Sequence, residues 1–136
     1  MTWVNARGMN TRMNETGALV AIVDDEESIR KALVRLLRLA EFKAVAFTSA
    51  SDLLESLAVR TPDCVILDLH MPGMTGVELL RRFATLERAP PVIVITANDE
   101  SRTREECVAL GVSSYLRKPI DRTALMESVR SAISAA

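Results

Sequence analysis

No apolar run in this sequence approaches the roughly 20 residues that a membrane-spanning helix needs, and the N-terminus lacks the apolar core of a secretion signal. Those absences make the cytoplasm the default location. Only two cysteines occur, Cys64 and Cys107, without zinc-type or redox-type spacing. They read as small, reduced, buried apolar residues. Charge of one sign is missing too. A formal net charge of -1 leaves no global field to favour nucleic acid, membrane or polyanion. The chain has no internal repeat, low-complexity tract or linker, and 136 residues suit one domain with a single buried core. With 49% hydrophobic and 26% charged residues, the balance is that of a globular protein.

What is present is a regular alternation. Residues 1–17, with Trp3 and three methionines, show no period and read as a flexible leader; the domain is expected over 18–136. Ala18 to Val23 is a continuous apolar run, a buried strand that stops at Asp24-Asp25-Glu26-Glu27. A helix follows, with Ile29, Ala32, Leu33, Leu36, Leu37 and Ala40 on its apolar stripe and Glu26 and Glu27 near its positive end. Lys43 to Phe47 is β-prone, and Ser49 to Leu57 reads as a helix capped by Ser49 or Ser51. Cys64 to Leu67 is the central strand, ending at Asp68 before a Pro72-Gly73 turn and Gly76. A third helix carries Val77, Leu79, Leu80 and Phe83 and runs out near Leu86. Val92 to Ile95 is another buried strand, closed by Thr96-Ala97-Asn98-Asp99. Residues 101–110 form a fourth helix with a charged outer side, stopped by Gly111. Ser114 to Arg117 is a short strand ending at Lys118-Pro119, and a last helix starts at Asp121 or Thr123. Five strand–helix units predict an α/β fold, a doubly wound parallel sheet with helices on both faces.

In such a sheet the carboxyl ends of the strands share one edge, where ligands bind. Asp24, Asp25, Asp68, Thr96 and Lys118 should therefore meet in one crevice. Taken alone, Asp68 has an equal reading as a turn cap, Thr96 as a strand end, and Lys118 as a solvated charge. Taken together, three carboxylates raise one another's pKa, and a single lysine cannot offset them. A hard divalent cation would, and Mg2+ suits best, because it takes carboxylate oxygens and keeps room for phosphate. Such a site suits a transferring phosphoryl group.

These residues resemble the receiver domain of two-component response regulators, over residues 18 to 133. The resemblance implies a flavodoxin-like five-stranded sheet in the order 2-1-3-4-5. It implies that Asp68, followed by Met71-Pro72-Gly73-Met74-Thr75-Gly76, accepts the phosphoryl group. Asp24 and Asp25 look like the acidic pair that holds Mg2+ with Asp68 and the backbone carbonyl of His70, Asp25 being the more direct ligand. Thr96 and Lys118 look like the hydroxyl and ammonium that assist. Ala97 is the small neighbour that leaves the acyl phosphate room. Lys118-Pro119 is expected to be cis, and Tyr115 with Thr96 to form the switch. The His70 side chain and Asn98 are expected to govern water access to the acyl phosphate. Leu116-Arg117-Lys118-Pro119 looks closest to the FixJ-like group, whose members usually carry a C-terminal DNA-binding domain; this chain either stands alone or is a piece of a longer protein.

The implied donor is a histidine kinase or phosphotransfer protein. The charged face of the fourth helix, fifth strand and fifth helix (Arg102, Arg104, Glu105, Glu106, Arg117) is expected to serve dimerisation or an effector, or else simply to be solvated. Two rival readings stand beside this one. A haloacid-dehalogenase-like phosphatase would need a second aspartate two residues past Asp68, where His70 stands. A receiver reduced to a binding module would lack acids or lysine, and none is lacking. The expected protein is thus no enzyme beyond its own phosphorylation and dephosphorylation.

Overall fold

A computed structural model describes residues 17–135. The expected leader, Trp3 included, lies outside the described residues apart from Gly17. The elements run β1 (Leu19–Val23), α1 (Glu27–Leu39), β2 (Lys43–Phe47), α2 (Ala50–Ser56), β3 (Cys64–Asp68), α3 (Gly76–Phe83), β4 (Val92–Thr96), α4 (Ser101–Ala109), β5 (Ser114–Arg117) and α5 (Arg122–Ala135). The strands form one parallel sheet in the order β2-β1-β3-β4-β5, as expected. Every residue of β3 and of β4 is buried, which is why both read as unbroken apolar runs.

Alternation along each strand divides the core in two. Val20, Ile22, Cys64, Ile66, Ile93 and Ile95 pack with Leu33 and Leu37 of α1 and Leu125 and Val129 of α5. On the other face, Ala21, Val23, Val65, Leu67, Val92 and Val94 meet Leu53 of α2, Leu79, Leu80 and Phe83 of α3, and Cys107 of α4. Both thiols are unpaired and fully buried, one in each half of the core. Burial pushes the Cys64 thiol up to about 12, with Asp63 adding to the effect.

Local chemistry sets the helix starts. Ser49, not Ser51, caps α2 by accepting the amide hydrogen of Asp52 at 3.1 Å. Thr75 and Glu78 form a reciprocal capping box at α3. Asp121 rather than Thr123 opens α5, its carboxylate accepting from the backbone nitrogens of Thr123 at 2.9 Å and Ala124 at 3.4 Å. Two expectations need correction. The third helix stops at Phe83, and Leu86 is left exposed beyond it. Ala32, placed on the apolar stripe of α1, is exposed, and Val34 packs partly on the core instead. Ala32 instead lines the groove between α1 and the segment Lys118 to Arg122. No helix among the described residues is long and apolar enough to cross a membrane.

Candidate functional site

The doubly wound order places the ends of β1, β3, β4 and β5 on one edge, around the switch point between β1 and β3 where the strand order reverses. Asp24 follows β1 directly and is fully buried. Its Oδ1 accepts the amide hydrogen of Glu26 at 2.9 Å, and its carbonyl accepts from the Arg30 guanidinium at 2.9 Å. These bonds turn the acidic segment into the start of α1 and leave Oδ2 facing the crevice. Asp25, next in the chain, is exposed.

Asp68 ends β3 and is buried; its Oδ1 accepts from the His70 amide at 3.2 Å, and the His70 side chain is exposed. Gly76 makes the following loop possible. Its amide donates to the Leu69 carbonyl at 3.1 Å, and a Cβ there would lie 2.7 Å from Leu69 Cα and 3.0 Å from the Asp68 carbonyl oxygen. Gly73, at φ +77, supplies the left-handed turn residue between them.

Lys118 reaches back from the end of β5, past a cis bond to Pro119. Its Nζ lies 3.1 Å from Asp24 Oδ2, 3.7 Å from Asp68 Oδ2 and 3.6 Å from Glu26 Oε1. Asp24, Asp25 and Asp68 each present an oxygen within 4.8 Å of the others. Thus Asp24, Asp25, Asp68 and Lys118 do converge. Burial, then the charge of Asp24, pushes the Asp68 carboxyl above its ordinary value, against the pull of the His70 amide and Lys118. Burial alone would lower the Lys118 ammonium, but the bond to Asp24 and the charges of Asp68, Asp24 and Glu26 outweigh it and hold the group above its usual range. The donors are all oxygens, and three carboxylates outnumber the one ammonium among them. That set fits a hard divalent cation.

Thr96 ends β4, fully buried, and its carbonyl accepts the Lys118 amide at 2.8 Å. Its hydroxyl is engaged elsewhere, donating to the Asn98 carbonyl and accepting from the Asn98 amide, both at 3.1 Å. Tyr115 pairs with Val94 in the β4–β5 register, its hydroxyl buried. The charged face of α4 is tied down at two places: Arg81 of α3 pairs with Glu106, and Asp99 with Arg104. Cysteine and charge spacing gave no hint of the Arg30, Asp99 or Arg104 contacts. The Thr75 and Glu78 box anchors the loop after Asp68, and its signal in the sequence is the Thr-x-x-Glu pattern. The groove on the opposite edge, lined by Phe83, Pro91, Leu110 and their neighbours, holds no titratable side chain among the described residues.

Comparison with known proteins agrees with this geometry. Residues 20–130 match the response regulator receiver domain family. The chain is 36% identical over 116 residues to the DNA-binding transcriptional regulator NtrC of Escherichia coli, covering 85% of this chain and 25% of that one. It is 30% identical over 114 residues to the transcriptional regulatory protein FixJ of Azorhizobium caulinodans, covering 84% of this chain and 54% of that protein. The chain therefore spans between a quarter and about half of the length of these relatives. Among solved structures, FixJ-N superposes with a TM-score of 0.80 at 33% identity, covering 88% of this chain and 95% of that one. A receiver protein from Burkholderia phymatum gives 0.76 at 40% identity, covering 88% and 97%. With its acidic pocket, its five-stranded sheet and a match over most of its length, the chain belongs to the receiver domains of response regulators, signalling modules of two-component systems.

Proposed function

We propose that Asp68 takes a phosphoryl group from a histidine kinase or phosphotransfer protein in a Mg2+-dependent reaction, and that the acyl phosphate resets the α4–β5–α5 face toward a partner or output domain. The observation that carries this reading is the Lys118 ammonium standing 3.1 Å from Asp24 and 3.7 Å from Asp68, beside the three-carboxylate cluster. An oxygen of Asp68 attacks phosphorus as the P–N bond of a phosphohistidine breaks. The departing imidazole keeps the bonding pair, and Asp68 ends as an acyl phosphate.

Asp24, Asp25, Asp68 and the His70 carbonyl would hold the metal, which supplies charge compensation at the phosphoryl oxygens. Lys118 offsets charge on those oxygens from the other side. Thr96 leaves Asn98 to donate to one of them, and Ala97 keeps the space open. Tyr115 then turns into the space vacated, and the fourth-helix face shifts its population between two packings. The His70 side chain and Asn98 control water access and so the lifetime of the acyl phosphate. We place this receiver over residues 18–136, in the cytoplasm, behind a leader over 1–17. A net charge of -1 gives no global field toward nucleic acid or membrane, which supports a reading in which neither is a direct partner of this domain. The transcriptional roles named for NtrC and FixJ make a DNA-binding output domain one candidate partner.

Intact mass after incubation with acetyl phosphate and Mg2+ tests the reading. A phosphoryl adduct on the wild type that is absent from Asp68→Asn is expected. No adduct, or one that survives in Asp68→Asn, refutes it.

A further inference from the structure

A second charged cluster lies behind the strand ends. Asp99 sits in the β4–α4 loop, three residues past Thr96, with its side chain only 11% exposed. Its Oδ2 carries both nearby guanidiniums: Arg104 donates to it, and Arg117 Nε lies 3.7 Å away. Its Oδ1 is buried and accepts no hydrogen bond among the described residues, and the buried Tyr115 hydroxyl is likewise unbonded. The Arg104 guanidinium carbon stands 5.5 Å from the Tyr115 ring centroid, so one cation ties the carboxylate to the aromatic face. The two groups already approach each other without forming a bond of good geometry: after burial, the charge of Asp99 raises the phenol pKa, and an incipient hydrogen bond to the same carboxylate adds to it.

A buried donor and a buried acceptor left unsatisfied side by side are costly, and one shared hydrogen bond would relieve both. The cluster is thus a small displacement short of a better packing. Thr96 can supply that displacement. Its hydroxyl holds Asn98 at both amide nitrogen and carbonyl, and turning to a phosphoryl oxygen on Asp68 gives up at least one of these bonds. The segment released is the one that carries Asp99.

We propose that Asp99 is a positioning residue that relays the movement of Thr96 to Tyr115: once Thr96 leaves Asn98, Asp99 Oδ1 accepts the Tyr115 hydroxyl and, with Arg104 over the ring face, guides the ring as it turns toward the space Thr96 vacates. The relay rests on Asp68 being the phosphoryl acceptor. A merely structural Asp99 would affect stability alone; a relay affects the coupling between the two residues.

The chain has one tyrosine, so 3-fluorotyrosine labelling gives a single fluorine NMR resonance. Acetyl phosphate with Mg2+ is the trigger, and intact mass counts the adduct in the same samples. In the wild type the resonance moves in proportion to the adduct. In Asp99→Asn the adduct forms but the displacement falls about threefold or more, within the range that changes of coupling reach; Asp99→Glu retains most of it. Arg104→Gln, at a half-exposed position where folding is little at risk, also loses displacement. Wild-type displacement at equal adduct in Asp99→Asn, or in Arg104→Gln should Asp99→Asn fail to fold, overturns the relay and leaves the acceptor reading standing. No adduct on the wild type overturns the acceptor reading, and the relay falls with it.

Discussion

Gly76→Ala tests whether the loop after Asp68 is as tightly seated as the structure shows. At a helix position with ordinary backbone angles, this exchange normally stabilises by about 0.4–1 kcal/mol, because alanine has less freedom to lose. Gly76 is the first residue of α3 and has such a backbone. Its added Cβ, however, would sit 2.7 Å from Leu69 Cα and 2.9 Å from Leu69 Cδ2. The first neighbour is backbone and cannot step aside alone, so α3 or the end of β3 must move. Overpacking of this kind costs roughly 1–3 kcal/mol. The expected net is a loss of about 1–2 kcal/mol, opposite in sign to the general rule. Urea unfolding followed by circular dichroism should show a lowered midpoint at unchanged slope, and the melting temperature should fall by roughly 3–8 °C. The rate of acyl phosphate formation should fall too, because the displaced atoms include the Asp68 carbonyl. Gly111→Ala is the contrast: φ +88 strains it, but open space surrounds it and the site is far away, so stability drops while phosphorylation holds. A Gly76→Ala variant as stable as the wild type would show that the contact is slack and the reasoning wrong.

Lys118→Met should slow adduct formation from acetyl phosphate by about 100-fold or more, as loss of one preorganised charge does in comparable sites; intact mass against time reads it. In metal-free buffer the Asp68 carboxyl titrates above its ordinary 3.8, so its ionisation opposes folding. Stability should fall as pH rises from that value through the raised one, and urea midpoints of Asp68→Asn should lack this limb. The Lys118 ammonium has the opposite consequence. Its stabilisation is fully present below the ordinary 10.5 and is lost as pH climbs through the raised folded value, a limb that Lys118→Met should remove. Mg2+ at about 100 times its dissociation constant should add roughly 2.7 kcal/mol to the wild type, measured as a shift of the urea midpoint, and much less to Asp25→Ala.

The parts of this fold that could be read from sequence are those governed by long-range burial. The buried runs Ala21–Val23, Val65–Leu67 and Ile93–Ile95 are apolar because helices cover both sides of the sheet, and once strands alternate with helices, the edge shared by Asp24, Asp68 and Lys118 follows. Contacts between elements that no period encodes stayed hidden. Nothing in Arg30 marks it as the donor to the Asp24 carbonyl, because that bond depends on a side chain folding back one helical turn. Arg104 and Glu106 read as part of a charged face that either docks a partner or is solvated, and nothing in their spacing points to their partners Asp99 and Arg81, which lie on a loop and on another helix. Glu26 reads as a charge near the positive end of α1, and only the path of Lys118 brings that ammonium within 3.6 Å of it.

The two thiols offer a use unrelated to signalling. Cys64 lies between the sheet and α1/α5, Cys107 between the sheet and α2–α4, and neither has any surface in contact with solvent. An alkylating reagent can reach each sulfur only when its own half of the molecule comes apart. Equal labelling rates at both would report that the halves open as one cooperative unit, and unequal rates would say which comes apart first.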